Sequence, residues 1–231
     1  YTLELAWSHY LSDRHRESIE VLRERLSHQP DCAVSHGILA ANLVALGRLY
    51  AGEYELKIAL QQEPQNAFFF MVYARIAMLK NQHEQALEYC DEALRLSPET
   101  TSALLLKAEL YRLRDDYTRA KECVDQAAKI NPDQVEIAIA YGEYYFATNQ
   151  AGTAYEYAVE ALSHHAENEA ANLLMGRVQL ARGDTEQALY HAKFVMMNNP
   201  TSQGALALFS AIKMRKNLFL GLWWRVNAKL A

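Results

Sequence analysis

A residue able to reverse the chain returns every 34 positions: Asp13, Gly47, Asn81, Asp115, Asn149, Gly183 and Asn217. Gly, Asn and Asp together make up only 28 of the 231 residues, so seven hits in one phase mark a true register. All three types tolerate the left-handed backbone that ends a helix. Prolines keep the same step at Pro30, Pro64, Pro98, Pro132 and Pro200, with Ala166 in the one vacant slot. Proline cannot continue a helical hydrogen-bond ladder, so each one marks a stop. A helix of roughly 12 to 14 residues fits between each stop and the next turn, and another between that turn and the next stop. The chain reads as stacked antiparallel helix pairs with a continuous core, each unit touching only its neighbours.

Small residues recur in the same register. The first helix of each pair carries Ala6, Ala40, Ala74, Ala108, Gly142, Gly176 and Ser210 at one place. The second carries Ser18, Gly52, Ala86, Ala120, Ala154 and Ala188, and further along the same helices Ala59, Ala93, Ala127 and Ala161. A bulky side chain there would force packed helices beyond their usual separation of about 8–10 Å. Leu26, Leu60, Leu94 and Leu162 recur in another phase and supply core volume.

Period and pattern together resemble the tetratricopeptide repeat. The resemblance covers essentially the whole chain and is strongest from Ala67 to Asn131. Tyr73-Ala74, Ala86, Cys90, Ala93-Leu94 and Pro98 carry it there, followed by Ala108, Tyr111, Tyr117, Ala120, Ala127 and Pro132. It implies a bacterial-type, all-α, right-handed superhelical solenoid forming a single domain over residues 1–231. The units fall at about 1–32, 33–66, 67–100, 101–134, 135–168 and 169–202, with a capping pair at 203–231. Departures sit at the ends, where Arg25 and Lys229 replace the recurring alanine and Leu222 replaces the small second-helix residue. Terminal units need atypical outer faces, so these read as caps.

Composition narrows the function classes. The net charge of −5 argues against a nucleic-acid partner. After Glu186 no acidic residue occurs, and six Lys and Arg residues give +6 against −11 before them. Cys32, Cys90 and Cys123 form no metal-binding or disulfide spacing, which fits a cytoplasmic, reducing setting. No apolar run is long enough to span a bilayer. No phosphate loop, zinc-helix or nucleophile-elbow pattern is present, so the expectation is no enzyme, no cofactor and no metal. His164-His165 reads as solvated loop. Glu109 and Glu143 lie one period apart and can face each other as a carboxylate pair, a weak signal.

The resemblance implies that first helices line a concave groove in which a peptide or partner helix lies. Carried residue by residue, the groove is Trp7, Phe68, Met71, Arg75, Met78, Leu105, Glu109, Arg112, Ile139, Glu143, Phe146, Leu173 and Arg177. Val72, Leu106 and Leu174 read equally as groove or as packing between first helices. The carboxylate clamp of chaperone-binding relatives is missing, since Leu3, Trp7 and Gly37 stand where its polar residues are wanted. The groove is instead apolar, with methionine and aromatic side chains that re-pack around an amphipathic partner. At the far end Phe219, Trp223, Trp224 and Arg225 read equally as an interfacial belt docking a membrane surface and as a cap over the core. The expected function is a protein-binding scaffold, cytoplasmic or held at a membrane as the soluble part of a larger protein. Two alternatives stand beside it: a module self-associating through its last helix, and a recruiting domain of a larger enzyme.

Overall fold

A computed structural model describes residues 1–216, which form thirteen helices and, among the described residues, no strand. They are α1 (Thr2–Leu11), α2 (His15–His28), α3 (Ala33–Ala45), α4 (Leu49–Gln62), α5 (Ala67–Leu79), α6 (His83–Leu96), α7 (Thr101–Leu113), α8 (Tyr117–Ile130), α9 (Val135–Ala147), α10 (Ala151–His164), α11 (Glu169–Arg182), α12 (Thr185–Asn198) and α13 (Gln203–Lys216). Odd-numbered helices are the first of each pair and even-numbered ones the second. None is long and apolar enough to cross a membrane.

Six of the seven predicted turn residues adopt the left-handed conformation: Asp13, Gly47, Asn81, Asp115, Asn149 and Gly183 have φ between 55° and 99°. The seventh, Asn217, lies outside the described residues. Each of the six closes its helix with the same two hydrogen bonds. At Gly47, the Gly47 amide donates to the Val44 carbonyl at 2.9 Å and the Arg48 amide to the Leu43 carbonyl at 2.8 Å. This double bond satisfies carbonyls that the helix end orphans. The second helix then starts within two residues, so one left-handed residue both stops one helix and aims the other.

The small positions are where helices meet. Ala40, Ala74, Ala86, Ala154 and Ala188 have no exposed surface. A Cβ added to Gly52 would lie 2.7 Å from a Val44 methyl and 3.0 Å from the Ala40 carbonyl oxygen, so a large side chain has no room. Ser18 fits the same slot by donating its hydroxyl to the Ala6 carbonyl at 2.8 Å. Ser210 differs and is exposed. The second-helix position that covers each of its counterparts falls at Leu222, outside the described residues.

Packing divides the chain into two compact units. Unit 1 is residues 1–116 and 125–130; unit 2 is residues 117–124 together with 131 onward. In unit 1 α1, α3 and α5 each lie against their own second helix, and first helices also lie against the next first helix: α1 on α3, α3 on α5, α5 on α7. The second helices α2, α4 and α6 do not reach one another. Unit 2 repeats this, with α9 on α11 and α11 on α13 but α10 apart from α12. Within each unit the first helices are thus the closer-set row, which makes their outward side the inner, concave one.

Candidate functional site: the inner face of the first helices

Within each unit one column of side chains runs along this face at the repeat spacing: Trp7, Ala41, Arg75 and Glu109 in unit 1, and separately Glu143 and Arg177 in unit 2. Arg75 and Glu109 form an ion pair at 3.5 Å with about half of each side chain exposed. Glu143 and Arg177 form another, and the Arg177 guanidinium also lies 5.7 Å from the centre of the Phe146 ring. Glu109 and Glu143 are thus each paired with an arginine of their own unit. Among the described residues no three His, Cys, Asp or Glu side chains cluster as metal ligands would. His164 and His165 are exposed at the end of α10.

The apolar residues of the face divide by how deeply they pack. Met71 is half-buried and its sulfur accepts a hydrogen bond from the Ser102 hydroxyl at 2.8 Å. Leu105 and Arg112 are half-buried on α7. In unit 2, Ile139 packs against the cluster holding Ala138, Ala161 and Ala171. Leu173 leans on α13, where a Cβ on Gly204 would meet its methyl at 2.6 Å. Met78 departs from expectation: it is only 9 % exposed and sits in the core with Ala74, Ala77, Ala86 and Leu110. It is placed one residue past the stripe that faces outward, on the side that meets α6 and α7. Val72, Leu106 and Leu174 are core residues as well, at 4, 7 and 0 % exposure.

At the start of unit 1 the face is aromatic. Trp7 and Tyr10 of α1 meet Phe68 of α5, with ring centres 5.3 Å apart for Trp7–Phe68 and for Trp7–Tyr10. Burial raises the Tyr10 phenol pKa, the nearby Arg75 charge lowers it, and Asp13 adds to the rise. Behind the face, Tyr73 stacks on Tyr89 at 5.2 Å; burial, with Tyr89 and Glu53 close by, pushes its pKa up to about 12. Sequence reasoning missed two features here: the contact of the α1 rings Trp7 and Tyr10 with Phe68 of α5, and the buried polar contacts of His36 and Asn172. The second had a legible signal: His36 and Asn172 are polar at a register that is apolar in the three repeats between them. Phe219, Trp223, Trp224 and Arg225, the expected membrane or oligomer contact, lie outside the described residues.

Residues 77–144 match the family model of the tetratricopeptide repeat. That segment carries the repeat, and the described helices to either side of it keep the same spacing. Among solved structures it resembles TTC0263, a thermophilic member from Thermus thermophilus, with TM-score 0.69 and 19 % identity over 78 % of this chain and 99 % of that one. PilF of Pseudomonas aeruginosa aligns with TM-score 0.58 and 18 % identity over 90 % and 95 % of the two chains. A chain of the APC/C hetero-tetramer Cut9–Hcn1 aligns with TM-score 0.76 and 13 % identity, over 93 % of this chain and 43 % of that one. At these identities the likeness is one of fold. No curated protein matches the sequence. Proteins built of this repeat generally mediate protein–protein interactions.

Proposed function

We propose that this chain is a non-catalytic scaffold that binds a peptide or helical segment of a protein partner along the inner face of its first helices. The observation that supports this is how the face combines its groups. Each unit places an ion pair, Arg75–Glu109 or Glu143–Arg177, beside half-buried Met71, Leu105 or Phe146. An exposed ion pair contributes only about 0–1 kcal/mol to folding, so its charges can turn toward a partner's backbone or side chains at small loss. Methionine and phenylalanine beside it supply adaptable apolar contact.

The test is selection of peptides from a random library on the immobilised chain, followed by anisotropy titration. Met71→Ala combined with Arg75→Ala is expected to weaken the selected peptides by about ten-fold or more, as loss of interface anchors does. Tyr50→Ala with Tyr54→Ala, on the exposed side of α4, is expected to leave affinity unchanged. Loss of binding in the α4 variant alone, or no enriched peptide at all, discards the reading.

A further inference from the structure

Unit 1 sorts its charges by row. Its four first helices carry Arg75, Lys107 and Arg112 against Glu4 and Glu109. Among its second helices α2 is balanced, and α4 and α6 carry six acidic residues against Lys57 and Arg95. The chain as a whole has a net charge of −5, so the positive excess of the first-helix row runs against the composition. Lys107 turns back to Asp91 of α6. That leaves Arg75, Arg112 and Glu109 on the inner side of α5 and α7, two cations to one anion. Arg75 holds Glu109 at 3.5 Å with both side chains about half exposed. Arg112 stands one turn beyond Glu109, on the flank register of Met78. Its long side chain is half-buried, and among the described residues it forms no ion pair.

Apolar side chains frame these charges. Leu79 follows Arg75 by four residues and Leu113 follows Glu109 by four, so each lies one turn further along the same face. They are 48 and 47 % exposed. Met71 and Leu105 precede the same two residues by four and are half-buried. Both helices thus read apolar, charged, apolar over two turns. The matching registers of unit 2 end in Ala147 and Ala181, which provide no such rim. Leucine surface left in water beside an excess of positive charge is complementary to a segment that is both apolar and acidic.

We propose that the inner face of α5 and α7 selects an amphipathic segment carrying an acidic side chain between apolar ones. The carboxylate is taken by Arg75 and Arg112, and its apolar neighbours rest on Met71, Leu79 and Leu113. This rests on the reading that the inner face binds a protein partner, and it names that partner's chemistry. Arginine fits the role because its planar fork meets a carboxylate with two parallel hydrogen bonds. Glu109 is a placeholder: it occupies Arg75 and opposes an incoming carboxylate, at a strength that an exposed pair gives up readily. Apolar rims lie on both sides of the charges, so the acidic residue is internal and no free chain end is required.

Anisotropy titration of three fluorescent peptides tests this. Each is an acetylated and amidated helix former with Leu, X and Leu at successive four-residue steps, X being Glu, Gln or Lys. The Glu peptide is expected to bind about ten-fold tighter than the Gln peptide, with the Lys peptide weakest. Raising salt from about 50 to about 500 mM shrinks that preference. Arg112→Gln is expected to erase most of it, whereas Glu109→Gln tightens the Glu peptide by about three-fold or more. Equal affinity for the Glu and Gln peptides, weaker Glu-peptide binding in Glu109→Gln, or binding by none of the three overturns the proposal. Should Arg112→Gln lose helicity, Arg75→Gln is judged by the same preference. Library-selected peptides that lack an acidic residue, yet lose affinity in the Met71→Ala, Arg75→Ala variant, discard the acidic requirement and leave the peptide site standing. An unenriched library discards the site itself.

Discussion

His36 in unit 1 and Asn172 in unit 2 stand four periods apart at the same place in their repeats, and so do the residues they meet, Glu55 and His191. His36 reaches the Glu55 carboxylate through Nδ1 at 2.6 Å and the Pro30 carbonyl through Nε2 at 2.8 Å. Asn172 donates from its amide to the carbonyls of Ala166 at 2.8 Å and Asn168 at 2.9 Å, which turns its oxygen toward His191 Nδ1 at 2.9 Å. That Nδ1 must then carry the hydrogen. Both staples tie the loop between hairpins to the following second helix. They differ in what the loop supplies. The first loop holds Pro30, whose ring already restricts the backbone. The second has Ala166 in the proline slot, and it has two amide bonds plus the Asn168 side chain capping the Ala171 amide at 2.9 Å. Side-chain hydrogen bonds stand in for a missing ring. The intervening repeats carry Phe70, Leu104 and Ala138 at this register and do without a polar staple.

The comparison can be broken most sharply at Asn172, which is 3 % exposed. Asn172→Leu strands two loop carbonyls and a ring N–H, and is expected to lower unfolding stability by about 3 kcal/mol in urea titration. His36→Leu leaves Pro30 its rigid ring, so a smaller loss of about 1–2 kcal/mol is expected from the same measurement. If His36→Leu proves the costlier of the two, the idea that proline and side-chain bonds substitute for one another fails. Transplanting the second staple into the first unit, as His36→Asn with Glu55→His, should come within about 0.5 kcal/mol of wild type while each single change costs more. Additive losses in that cycle would show that the two places are not equivalent.

The pH response separates the staples further. Burial holds the His191 pKa below its ordinary 6.5. In the window between the folded and unfolded values the unfolded chain binds the extra proton. Stability from this group is therefore complete above about pH 6.5 and declines as pH falls through the depressed folded value. His191→Gln should remove that share of the acid-side slope in thermal melts across pH 5 to 7.5, and an unchanged slope would place the titration elsewhere. Among the single substitutions the smallest loss is expected on the inner face: Arg75→Ala should change stability by less than about 1 kcal/mol, because its ion pair is half-exposed.

Much of this architecture is legible before any coordinates. The left-handed residues were readable because Gly, Asn and Asp are the types that tolerate that backbone, and every described one adopts it. The small positions were readable because close helix approach admits nothing larger, as the surroundings of Gly52 demonstrate. The inner face was readable only in part. Arg75 and Glu109 in unit 1, and Glu143 and Arg177 in unit 2, stand at the expected register of their first helices, but their pairing depends on which neighbour each side chain turns to. Met78 shares the spacing of the face and still falls in the core, because a helix offers no sharp border between its outward stripe and its flank.

Taken alone, the amino-acid order determined the repeat length, the places where the backbone must turn left-handed and the places where helices must nearly touch. These are local demands: each is set by one residue's own sterics, within a few positions of itself. Whether a given inner side chain is wet or covered was decided only in three dimensions. Ala41 is dry because it belongs to a core cluster against which Tyr10 of α1 and Phe68 of α5 pack, and no property of Ala41 or of its own helix announces neighbours that far along the chain.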